Sequence, residues 1–109
     1  MRSLHAVGRS LAVVVLISTG GLLSARAGSL AKVTPSARAC FASEQPQVCN
    51  RALVLAEDLQ RKASDLDRYP CQSLLLGLQA EVVMVQLGAG RGAQANETLV
   101  AVQRRCHGL

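Results

Sequence analysis

From Pro70 to Leu87 the chain reads PCQSLLLGLQAEVVMVQL, a run with a single charged residue, Glu81. Gln72, Gln79 and Gln86 recur every seven residues, with Ser73 beside the first of them. Seven residues are two helical turns, so on a helix these side chains form one narrow polar stripe. The rest of the circumference is apolar: Leu74, Leu75, Leu76, Leu78, Val82, Val83, Met84, Val85 and Leu87. A helix apolar on most of its surface has to be covered on more than one side. The stretch therefore predicts a central helix, with the remaining segments folded to cover it. Its β-branched part, Glu81 to Val85, neither alternates nor follows a turn signal, so it continues the helix and is not a strand.

The first 27 residues stand apart. Arg2, His5 and Arg9 make a positive leader, Leu11 to Leu23 is an unbroken run without charge, and Ala25-Arg26-Ala27 places small residues where a signal peptidase reads. That is the pattern of a cleaved secretory signal. A retained anchor fits less well, because the run would reach only roughly 20 Å as a helix, against a hydrocarbon core of roughly 30 Å. Cleavage after Ala27 leaves 82 of the 109 residues, enough for one small domain. Three of the 12 basic residues leave with the leader, so nine face seven acids and the excess of positive charge largely disappears. No concentrated basic face remains, and nucleic acid is not expected as a partner. The membrane is expected to matter only through the signal peptide during export. The expected location is secreted or periplasmic.

Cys40, Cys49, Cys71 and Cys106 all follow the leader. An even number of cysteines in a short exported chain reads as two disulfides, the usual supplement to a core this small. Zinc is not expected: the spacings contain no C-x2-C or C-x4-C pair, and His107 is the one imidazole after the leader.

Gly28 to Gln45 has no clear period and contains Pro35, and reads as a flexible lead-in with a possible short helix across Ala37 to Ala42. Ser43-Glu44-Gln45-Pro46 reads as a helix start, with Ser43 able to cap and Pro46 tolerated in the first turn. A helix follows from about Pro46 to Leu66. Cys49, Ala52, Ala56, Leu59, Ala63 and Leu66 step by three and four along one face, and Glu57–Arg61 and Asp58–Lys62 are acid-to-base pairs on the solvated side. Asp67 to Pro70 breaks the helix, and the short connection makes the helix that starts at Pro70 and runs to Leu87 an antiparallel neighbour. Gly88 fits a left-handed helix end. The glycines at 88, 90 and 92 follow no strand and lack the partners of a phosphate loop, so they read as an interhelix loop. A last helix, about Ala93 to Arg105, turns Ala95, Leu99, Val102 and Cys106 inward. Asn96-Glu97-Thr98 matches a glycosylation sequon, which matters only in a host that glycosylates.

The expected architecture is thus all-α: a small three-helix up-down-up domain over residues 46–109, tied by two disulfides. Helix geometry selects the pairing. Cys49 and Leu66 lie roughly 25 Å apart along one helix, so Cys49 cannot reach Cys71. Cys40 can fold over Cys49, and the last helix returns Cys106 to Cys71.

No arrangement of side chains suggests catalysis. His107 is a terminal residue, the acids are scattered over helix surfaces, and no C-x-x-C redox pair exists. Glu81 alone interrupts an apolar face and is expected at the edge of the glutamine stripe, reaching solvent. Neither an enzyme nor a cofactor is expected. Two classes of function remain. One is a protein-interaction module that binds, caps or inhibits an unknown protein partner or self-associates. The other is a carrier of a small apolar ligand or lipid, which the near-absence of aromatics after the leader (Phe41 and Tyr69) disfavours. The expected interaction surface is a strip of the central helix near Leu75, Leu78, Val82 and Val85, which three helices would not fully enclose.

Overall fold

The expected leader lies outside the residues that the computed structural model describes, 29–90 and 92–109. Among the described residues there are four helices and no strand: α1, Leu30–Ser43; α2, Pro46–Asp65; α3, Tyr69–Gln86; and α4, Gly92–Arg105. The last three fall within a residue or two of their expected limits. On α2, Cys49, Ala52, Ala56, Leu59 and Ala63 are buried, whereas Leu66 lies one residue past the helix and is exposed. On α4, Ala95, Leu99 and Val102 are buried, as is Cys106 just beyond it. Arg61 pairs with Glu57 at 3.0 Å and also with Asp58. The hydrogen bond that Arg61 donates to Glu57, then the charges of both carboxylates, hold the Arg61 pKa above its ordinary value. These groups face solvent, where such pairs contribute little to stability.

The expectation of three helices after a flexible lead-in is corrected by α1. Pro35 and the missing period hid it. Pro35 lies in the second turn, exposed, where its missing N–H removes one intrahelical bond. That loss is offset by burial. Val33, Ala37 and Cys40 form a fully covered line, with Leu30 and Phe41 packed beside it. Ser43 is accordingly the last residue of α1 and not the cap of α2; its hydroxyl accepts from the Gln45 N–H. Glu44 turns the chain in a left-handed conformation, φ 55°, and its N–H closes on the Cys40 carbonyl.

Short connections make each helix antiparallel to the one before, so the fold is an up-and-down four-helix bundle. Around it, α1 touches α2 and α4, α3 touches α2 and α4, and α1 also meets α3 across the centre; α2 and α4 do not meet. The cross-section is thus a rhombus with α1 and α3 on its short diagonal. Val33 and Ala37 share a core cluster with Leu75 and Leu78, and Cys40 shares a second with Val82 and Val85. One disulfide closes each end of the bundle, Cys40–Cys49 at one and Cys71–Cys106 at the other, in the expected pairing.

The turn after α2 is closed by bonds from Asp67 N to Ser64 O and from Arg68 N to Ala63 O, and the turn after α3 by Gly88 N to Val85 O and Ala89 N to Met84 O. Both are paired-bond caps around a left-handed residue, Asp67 in the first and Gly88 in the second. Gly90 is required for a different reason: a Cβ there would lie 2.5 Å from Val85 Cγ2 and 2.9 Å from Val85 Cα. Gly77 is required for neither. It sits in mid-helix, and an added Cβ would meet only Thr98 Cγ2, at 3.9 Å. Gly77→Ala is therefore expected to stabilise the domain by about 1 kcal/mol, read as a higher urea midpoint at unchanged slope. A loss of stability would show that α3 and α4 pack closer than this geometry.

Candidate functional site: the outer face of α3

The strip expected to be exposed is the buried one. Leu75, Leu78 and Val82 are fully covered and Val85 is 7 % exposed. The physical reason is α1, the helix beyond the expected three, which lies over these side chains. The glutamines also differ from expectation. Gln79 Nε2 bonds Gln60 Oε1 at 3.5 Å and Gln86 Nε2 bonds Asn50 Oδ1 at 2.8 Å. Their stripe is a half-buried polar seam against α2 and not a face turned to water.

With α1, α2 and α4 all packed on α3, its remaining face should be its polar one. Instead it is apolar. Tyr69 is 57 % exposed, Leu76 49 %, Val83 38 %, Met84 42 % and Leu87 74 %. Tyr69, Ser73, Leu76, Ala80, Val83 and Leu87 step by 4, 3, 4, 3, 4 and are all exposed. That is a seam of period 3.5, the spacing at which a second helix packs at a shallow crossing angle. Large and small residues alternate along it from Tyr69 to Val83, and Met84 widens its C-terminal half. The signal was present in the sequence as the completeness of the apolar circumference; what was missing was which part of it the bundle would use.

Glu81 lies off this seam, one turn beyond Gly77 on the side toward α4. It is half-buried, and its Oε2 is covered without a hydrogen-bond partner among the described residues. At the N-terminal end of the seam Tyr69 Oη donates to Asp67 Oδ1 at 2.9 Å. Arg68 reaches away from the seam, donating to the carbonyls of Arg105 at 2.7 Å and His107 at 3.1 Å. A guanidinium on the last carbonyls of a helix satisfies acceptors that the helix itself cannot, and opposes its dipole. His107 enters the fold through its carbonyl, and its side chain is exposed.

A second feature is an open trough of about 390 Å³ on the outer face of α4, lined among the described residues by Ala93, Asn96, Glu97, Val100, Ala101 and Arg104. It gathers one acid and one base, Glu97 and Arg104, on a helix surface. The two disulfides are those of a chain that matures in an oxidising environment. Among the described residues no helix is long and apolar enough to cross a membrane. No protein-family model matches the chain, and the comparisons found no similar curated protein and no similar solved structure.

Proposed function

We propose that this chain is an exported, non-catalytic interaction module that binds an apolar helix of a protein partner along the outer seam of α3. One observation carries the reading: a helix already packed on three sides keeps an uncharged, exposed apolar seam at helix-packing spacing. Leaving such a seam in water is unfavourable, at about 25 cal/mol per Å² of apolar surface, and contiguous exposed apolar faces mark interaction sites. Export follows from the leader pattern and agrees with the two disulfides. The alternative of an apolar-ligand carrier has no observation of equal weight behind it, since the buried clusters are Ala, Val, Leu and Cys side chains packed on one another.

The test is site-specific photo-crosslinking in the producing cell, with the probe at Leu76 or Leu87 and a control at exposed Arg51 of α2. Crosslinks to protein from both seam positions and none from Arg51 are expected. N-terminal sequencing of the same exported material should begin at or near Gly28. Equal capture from all three positions, or none from the seam, would remove the basis for the reading.

A further inference from the structure

The reading of α3 as a docking helix leaves open which helix docks. We propose that it is α3 of a second copy, running antiparallel about a twofold axis at the level of Leu78.

The argument is self-complementarity. An interface between identical copies has to fit itself: whatever one residue meets, its counterpart meets in return. About an axis at Leu78, Leu76 faces the partner's Ala80, and Val83 faces the partner's Ser73. Tyr69 faces the partner's Leu87 at each end. In the interior of the seam every large side chain therefore meets a small one, as knobs and holes require. Parallel pairing lacks this property, because it sets Leu76 on the partner's Leu76 and opposes Ser73 to the partner's Ser73, leaving voids at the small positions.

Charge favours the same arrangement. No seam residue is charged, so nothing ionic has to be desolvated. Antiparallel helices set the positive end of one dipole beside the negative end of the other. Arg68, one residue before α3, takes no part, because its guanidinium is held by the carbonyls of Arg105 and His107.

Area sets the strength. Eighteen residues make α3 about 27 Å long, and a helix is about 11 Å wide, so the seam covers about 300 Å² per copy and about 600 Å² in all. Stable interfaces bury about 1,200 Å² or more. The dimer should be weak and reversible, populated at about 0.1–1 mM.

Sedimentation equilibrium on the mature chain with both disulfides intact, from about 10 µM to about 1 mM, tests this. Wild type should pass from monomer toward dimer over that range. Leu76→Lys and Ala80→Glu should each remain monomeric, and an equimolar mixture of the two should regain dimer, because the antiparallel register sets the new lysine against the new glutamate. Both positions are exposed, and circular dichroism of each variant checks that the fold survives. A wild type that stays monomeric at about 1 mM, a dimer insensitive to Leu76→Lys, or a mixture that does not recover would each overturn the proposal. If wild type is monomeric while Leu76 and Leu87 still crosslink to another protein, self-pairing fails and the interaction reading stands. If both are absent, both fail.

Discussion

Replacing Cys71 and Cys106 together by alanine should lower the stability of the domain by about 3.8 kcal/mol, whereas replacing Cys40 and Cys49 should lower it by about 2.7 kcal/mol. The difference follows from loop length. The bonded residues are 35 apart in one bridge and 9 apart in the other, and chain entropy lost on closing a loop grows with the logarithm of its size. A domain of this length has on the order of 5–10 kcal/mol in total, so losing the longer bridge removes a large share of it. Two further features add to the contrast. The Cys71–Cys106 bond fastens α4, which touches α1 and α3 but not α2, and it lies beside the carbonyls that Arg68 caps. Urea denaturation of the two double variants, followed by circular dichroism, measures the ranking. Equal losses, or a larger loss at Cys40–Cys49, would mean that the longer loop is already restricted in the unfolded chain.

The second large effect separates two adjacent leucines. Leu75→Ala should destabilise by about 3 kcal/mol and Leu76→Ala by about 0.5 kcal/mol or less. Leu75 is fully covered in the cluster that joins all four helices, so truncation leaves a cavity with few ways to close. Leu76 is half in water and leaves none. Hydrogen-exchange protection of α3 amides in each variant, together with the urea midpoint, reads both effects. Comparable losses at the two positions would mean that α3 is rotated from the orientation described.

The same two residues mark the limit of what the sequence reveals. Spacing of three and four located the inner lines of α2 and α4, because small and apolar residues there sit opposite charged ones. The disulfide pairing was legible because rigid helices fix how far apart cysteines lie. On α3 the pattern could not orient the helix: its circumference carries leucine and valine nearly all round, so Leu75 and Leu76 look alike until the neighbours are known. The neighbour that decides between them is α1. Its period is concealed because Val33, Ala37 and Cys40 are small or medium-sized and Pro35 interrupts the propensity. Three helices would have left the Leu75–Val85 line uncovered; four cover it and leave its opposite exposed. The glutamines misled for a related reason. A polar stripe reads as water-facing, yet amide side chains can satisfy one another across a helix pair, as Gln86 and Asn50 do.

The two disulfides join consecutive cysteines, the first to the second and the third to the fourth, so neither loop encloses or interlocks with the other. That order matters for biosynthesis. Were the chain exported as proposed, N-terminus first into an oxidising compartment, it would present Cys40 and Cys49 while the later pair was still behind the membrane. An oxidant that joins thiols in order of arrival then makes each native bond at the first attempt. Shuffling of mispaired sulfurs, the slow step for interlaced cysteine frameworks, has nothing to correct here.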